Sequence, residues 1–171
     1  MGLVFALSMG VAATQAPGLA PLPDSAPVHI AISLRVAHPE ALEAFRRSQD
    51  DPNSSDYRRV LTPAEFGRRF GPSSQSYGKL AAWLREAGFT VTEFPNHILI
   101  EGTGTAGQVT KLLGVRLQTV EGQPASVHVP DGAPKFPAWL APMVLHVSGL
   151  DTRVRYHHHL AQTLIGGRNF D

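Results

Sequence analysis

The stretch LTPAEFGRRFGPSSQSYGKLAAWLREAG, Leu61 to Gly88, limits what the chain can fold into more than any other part of the sequence. Thr62 and Glu65 form the two ends of a capping box, and Pro63 is preset for a first helical turn. Phe66 and Phe70 lie four apart and share one helix face. Gly71-Pro72 ends that helix. Ser73 or Ser74 then caps a second helix, with Tyr77, Leu80, Trp83, Leu84 and Ala87 on one side and Gly88 as the expected residue just past its end.

Strands flank this pair. VHIAISLRVA, from Val28, alternates in part and is rich in β-branched residues, which predicts a strand. HPEALEAFRRS follows as a helix, with Pro39 at its first position and Ala41, Leu42 and Phe45 spaced for one buried face. QDDPNSSDYRRV is a polar loop. Beyond Gly88, FTVTEF and HILIEG predict two strands joined at Pro95-Asn96. TAGQVTKLLG predicts a short helix capped by Thr105 and stopped by Gly114, and VRLQTV and ASVHVP two further strands. FPAWLAPMVLHVSGL begins as a proline-led helical turn and finishes as a strand. This order predicts an α+β fold, an antiparallel sheet with helices packed on one face, as a ferredoxin-like open sandwich.

The two ends read differently. Leu3 to Ala13 is an uncharged, mostly apolar run of eleven residues, too short to span a bilayer. It is either a trimmed secretory signal, with cleavage suited after Ala16, or an apolar tail; the first basic side chain is Arg35. Pro17, Pro21, Pro23 and Pro27 mark an extended linker, so order is expected to begin at Val28. After Arg153 the chain turns polar and aperiodic. The expected division is therefore 1–27 signal-like segment and linker, 28–153 folded domain, 154–171 polar linker. A net charge of +1 gives no electrostatic footprint for nucleic acid, and the absence of cysteine excludes disulfides, thiolate metal sites and a cysteine nucleophile.

Chemical candidates are few. Gly102, Gly104 and Gly107 spell G-x-G-x-x-G between a predicted strand and helix, with Glu121 downstream, the outline of a dinucleotide-binding fingerprint. A nucleotide-binding unit needs a parallel crossover, whereas the strand here is the second arm of a hairpin and the helix stops at Gly114. The structural explanation is that Gly102 and Gly104 shape a turn and Gly107 lies in the first helical turn beside Thr105. His157, His158 and His159 are adjacent, so in an extended chain at most two share a metal, and no carboxylate is spaced to complete a site. The other histidines are scattered; His29, His128 and His146 fall in predicted strands, where partial burial is expected. There is no G-x-S-x-G, no H-E-x-x-H and no P-loop. No catalytic residue, cofactor or metal ligand is assigned.

The ordered series of motifs resembles the activation domain of the sedolisin family, the kumamolisin-like serine-carboxyl peptidases. It comprises Tyr57, Leu61-Thr62-Pro63, Phe66, Phe70-Gly71-Pro72-Ser73, Trp83-Leu84 and Gly88-Phe89-Thr90-Val91. Downstream, ILIEGTGTAGQVTKLLGVRLQTV resembles that family's strand, Gly-Thr turn, helix ending at Gly114 and strand, with Leu113 where an aromatic is usual. FPAWLAPMVLHVSGLD, holding Pro137, Gly149 and Leu150, resembles its terminal stretch. The resemblance covers about residues 28–153. It implies a secreted propeptide that helps its peptidase fold, blocks the active site and is released by acid-triggered cleavage. The implied partner is a sedolisin-type peptidase domain, in cis or in trans. The chain has no region to supply that family's catalytic Glu, Asp and Ser, so an enzyme is not expected, and any calcium would belong to the peptidase domain. The resemblance also makes the tail a processing linker, cut between Tyr156 and Asp171, a stretch that includes His157, His158, His159, Leu160, Arg168, Asn169 and Phe170. A free-standing inhibitor or binding module is the alternative.

If the glycines are structural, neither NAD nor ATP raises the melting temperature in a thermal-shift titration. Saturable stabilisation by either nucleotide would reinstate the fingerprint.

Overall fold

The computed structural model describes residues 18–153 apart from residue 125. The core is organised around β2 (Pro27–Leu34), in which Val28, Ile30, Ile32 and Leu34 are buried and alternate with outward residues. Three other strands complete an antiparallel sheet with it: β3 (Thr90–Glu93), β4 (Leu99–Thr105) and β7 (Val144–Ser148), in the order β3-β4-β2-β7. The helices are α1 (Pro39–Asp50), α2 (Pro63–Phe70), α3 (Ser74–Glu86) and α4 (Ala106–Leu113). The buried faces of α3 (Tyr77, Leu80, Ala81, Leu84) and α4 (Val109, Leu113) join the inward side chains of β2 in one core. β2-α3-β3-β4-α4-β7 is thus the split βαβ arrangement of a ferredoxin-like fold, with helices on one face.

Local chemistry sets each helix. The Thr62 hydroxyl accepts from the Glu65 N–H at 3.2 Å and the Glu65 carboxylate accepts from the Thr62 N–H at 2.8 Å, the capping box that the sequence predicts. α4 carries a second box: Thr105 Oγ1 accepts from Gln108 N–H at 3.3 Å and Gln108 Oε1 from Thr105 N–H at 2.7 Å. Gly114 ends α4 at φ 66°, the left-handed region that favours glycine. Ser73, not Ser74, caps α3. α1 and α2 form a satellite cluster in which the Phe70 ring lies 5.8 Å from Phe45 and 5.3 Å from Phe66. Phe45, which packs on Phe70 of α2, is the buried residue of α1, whereas Ala41 is exposed.

The β3–β4 hairpin is tied to α3 through one phenol. Tyr77 Oη donates to the Leu99 carbonyl at 2.7 Å and accepts from Phe94 N–H at 2.8 Å, and its ring stacks on His97 with centroids 4.7 Å apart. Burial, above all, pushes the Tyr77 hydroxyl above its usual titration range.

The structure differs from expectation in three places. Gly102 and Gly104 do not shape a turn; they lie inside β4, opposite Ile30 and Val28 on the core face. A Cβ at Gly102 would meet the Phe89 ring at 3.2 Å, and one at Gly104 would meet it at 2.7 Å. The two glycines therefore open a slot that holds buried Phe89 against the sheet. Gly107 does lie in the first turn of α4, where its N–H donates to the Asp24 carbonyl at 3.0 Å. Second, the stretch read as a proline linker contains a strand, β1 (Leu19–Pro21), followed by buried Leu22. β1 pairs with β5 (Leu117–Val120), which pairs with β6 (His128–Pro130), making a separate three-stranded sheet. Glu121 serves this sheet, its carboxylate accepting from Gly18 N–H at 3.1 Å. Third, of the three strand histidines only His128 is buried; His29 and His146 are exposed.

Phe89→Ala is expected to cost about 3–5 kcal/mol in chemical denaturation, as large aromatic truncations do. Gly104→Val drives a side chain into the same slot and destabilises on its own, but less so in the Phe89→Ala background. Strict additivity of the two changes would rule out the slot.

Candidate docking face and domain exit

Helices cover one face of the four-stranded sheet, so alternation leaves the other open. β2 contributes His29, Ala31 and Ser33 to it, and β4 contributes their partners Thr103, Glu101 and Leu99. On the flanks lie Thr90 and Thr92 of β3, and Ser148 and His146 of β7, opposite Ala31 and Ser33. Apart from half-buried Leu99, these side chains are small, hydroxylated or ionisable. His29 Nδ1 is 3.2 Å from Thr103 Oγ1, and its Nε2 is 3.8 Å from the Glu101 carboxylate. Such a surface offers hydrogen-bonding groups on a rigid backbone and resembles a polar protein interface more than a small-molecule pocket.

The carboxyl-terminal end of the domain is clasped to β6. His128 N–H donates to Thr152 Oγ1 at 2.8 Å, Thr152 N–H donates back to the His128 carbonyl at 2.9 Å, and the Thr152 hydroxyl donates to the Ser126 carbonyl at 2.8 Å. The His128 ring is buried, with Nε2 3.0 Å from the Gly149 carbonyl oxygen; no hydrogen-bond partner reaches Nδ1 among the described residues. Gly149 has φ 88° and packs so closely on the His29 carbonyl that no side chain fits there. Arg153 closes the domain through a two-point ion pair with Asp151, at 3.0 and 2.6 Å, and that hydrogen bonding holds the guanidinium pKa above its usual value.

The motif residues are distributed rather than gathered. Thr62 and Pro63 open α2; Phe66, Phe70 and buried Pro72 pack around its end; Gly88, at φ 88°, follows α3. Leu84 and Leu150 are core residues, and Trp83 meets Trp139 edge to face at 6.4 Å beneath the Lys79 ammonium. The Pro137 carbonyl accepts from Leu140 and Ala141 N–H groups. Leu61 is half-buried, and Tyr57 is on the surface. The segment from Tyr156 to Asp171, with its three histidines, lies outside the described residues. Sequence reasoning did not find the His128–Thr152 clasp, whose partners are 24 positions apart and leave no local signal. The open face had a signal, the period-two alternation of β2.

Among the described residues no three His, Asp or Glu side chains come together to hold a metal, and no helix is long and apolar enough to cross a membrane. The architecture is a four-stranded sheet covered by helices on one face and open on the other. The chain belongs to the pro-kumamolisin activation domain family, whose family model matches residues 15–153; it is a regulatory propeptide domain and not a catalytic one. It is similar to xanthomonalisin of Xanthomonas sp. (strain T-22), with 32% identity over 137 residues, covering 78% of this chain and 17% of that protein. It is also similar to sedolisin of Pseudomonas sp. (strain 101), with 25% identity over 147 residues, covering 81% of this chain and 25% of that protein. The chain thus spans a quarter or less of the length of these relatives.

Electrostatics adds one pH-sensitive feature. The Thr62 backbone N–H, then its hydroxyl, hold the Glu65 carboxyl below its usual value of 4.5. A depressed carboxylate stabilises the fold fully above its unfolded pKa and loses that contribution as pH falls through the folded value. Glu65→Gln should therefore flatten the decline of melting temperature below about pH 4.5, modestly, because the group is solvated. An unchanged acid slope would remove Glu65 from the acid response.

Proposed function

We propose that the chain is the propeptide of a secreted sedolisin-type serine-carboxyl endopeptidase, acting as its folding template and inhibitor until cleavage in acid releases it. The family match over residues 15–153 carries this reading. The geometry supports it in two ways. The open sheet face is a preformed surface of the right kind for a protein partner, and the clasp at His128 and Thr152 fixes where the chain leaves the domain. The segment beyond, Tyr156 to Asp171, is then the linker that reaches the peptidase cleft and is cut. The apolar run Leu3–Ala13 supports export as a signal sequence.

Acid release has a physical basis. Carboxylates paired across an interface lose their stabilising contribution when protonated. Because the domain has its own core, the same face also serves a free-standing inhibitor acting in trans.

Purified mature xanthomonalisin or sedolisin, titrated with the full chain, tests this. Inhibition is expected at neutral pH and weakens in acid, and Ala31→Trp, at the centre of the open face, should weaken it about tenfold or more at unchanged melting temperature. Lack of inhibition of either peptidase at any pH would overturn the proposal.

A further inference from the structure

The loop between α1 and α2, residues 51–62, joins two parts of the fold that are also held together by the sheet. β2 precedes it, whereas β4 and β7, the neighbours of β2, both follow it. The loop is pinned as far as Arg59. Tyr57 N–H donates to the Ser54 carbonyl at 3.1 Å and Arg59 N–H to the Asp56 carbonyl at 3.0 Å. Gln49 of α1 closes it: its carbonyl accepts from Arg58 N–H at 3.1 Å, and its side-chain amide donates to the Arg59 carbonyl.

Pinning stops there. Val60 is 87% exposed, and among the described residues no hydrogen bond reaches the N–H of Val60 or of Leu61. The next anchored N–H is that of Thr62, in the cap of α2. An extended segment is read by a partner through free backbone groups of this kind, with pockets for its side chains. Two arginines, Arg58 and Arg59, run into this stretch. The other arginines before the domain exit do not run into such a stretch. Those of α1, α2 and α3 have helical backbone; Arg35 is followed by Ala37, whose N–H donates to the Phe70 carbonyl at 2.8 Å, and Arg116 by β5. The Arg59 guanidinium reaches Asp56 at 3.2 Å and Glu65 at 3.5 Å, but solvated pairs of this kind contribute little. Arg58 has φ 53°, a conformation that side chains other than glycine rarely adopt, and an extended bound form relieves it.

We propose that the Arg59–Val60 bond is an internal cleavage site of the domain, exposed when the Gln49 side chain lets go and cut by an arginine-directed endopeptidase. Hydrolysis consumes one water. The C–N bond breaks, the water oxygen joins the Arg59 carboxyl group and a water hydrogen goes to the Val60 nitrogen. The two pieces stay paired through β2, inside its sheet, but no longer share a chain. Their folding becomes bimolecular, so dilution after unfolding prevents recovery. On the activation-domain reading above, such a cut makes release of the domain final; the cut itself does not depend on that reading.

The test digests the full chain at neutral pH, under native conditions, with clostripain, which cuts after arginine, and identifies the fragments by mass spectrometry. The first cut before Leu150 is expected to give a fragment beginning at Val60. Arg58→Gln combined with Arg59→Gln should slow internal cutting about tenfold or more at unchanged melting temperature. Gln49→Ala removes one hydrogen bond from the loop and should speed the cut about two- to tenfold. The cut chain should run as one species in native gel filtration and as two pieces in denaturant. After unfolding and high dilution, only the uncut chain should regain its circular dichroism spectrum. A first internal cut elsewhere, or an unchanged rate in either variant, would overturn the site and leave the activation-domain reading standing. Cut pieces that refold at high dilution as well as the uncut chain would overturn the two-piece consequence. Failure of the chain to inhibit a peptidase would remove the role in release and leave the cut.

Discussion

Everything else in the domain is arranged around the burial of one side of β2. Ile30 and Ile32 are fully enclosed, each contributing about 1.5–3 kcal/mol relative to exposure. They are enclosed because β2 is an inner strand, with β4 on one side and β7 on the other. β7 is contributed by residues more than a hundred positions later. Closing such a long connection is unfavourable until both neighbours are in place. The sheet and its two covering helices therefore form one cooperative unit. The phenol of Tyr77 and the ring of Phe89 connect the hairpin to that unit, one by hydrogen bonds and the other by filling a glycine slot.

What was legible in the sequence was whatever is encoded over a few residues. The capping box at Thr62 and Glu65, the stop at Gly114 and the alternation of β2 are local, and each formed as its chemistry dictates. The same local logic misplaced Gly102 and Gly104. A glycine in a strand and a glycine in a turn look alike until the ring that needs the space, Phe89, is known. β1 was obscured for a related reason. Prolines signal a linker, but Pro21 at the end of a short edge strand is compatible with pairing, and what makes the strand is β5, about a hundred positions away. The clasp of Thr152 on His128 and the pinning of the Tyr57–Val60 loop by Gln49 are non-local in the same sense. The family pattern was readable because its motifs are mostly caps, turns and core aromatics, which recur at fixed spacing.

Leaving one sheet face open has a cost that the composition of the face reveals. An exposed sheet of Val and Ile would be an aggregation surface, whereas Thr90, Thr92, Thr103, Ser33 and Ser148 keep strand propensity while remaining solvated. In the proposed reading, a face that docks onto a peptidase without exposing an apolar sheet needs this compromise. The affinity of such a polar face comes from shape and hydrogen bonds more than from buried apolar area, and this also makes it reversible.

Reversibility is what an activation domain requires, and the fold divides the task. The core, sealed by helices, has no reason to respond to acid: its members are aliphatic and aromatic, and its carboxylates are at the surface. The Glu65 carboxyl, held below its usual value by the Thr62 N–H and hydroxyl, sits at the edge of the structure, in the cap of α2. In the proposed reading, protons loosen carboxylates paired across the interface before they unfold the domain. In that reading the peptidase is freed by the departure of an intact domain, and the clasp of Thr152 on His128 marks where the described chain leaves it.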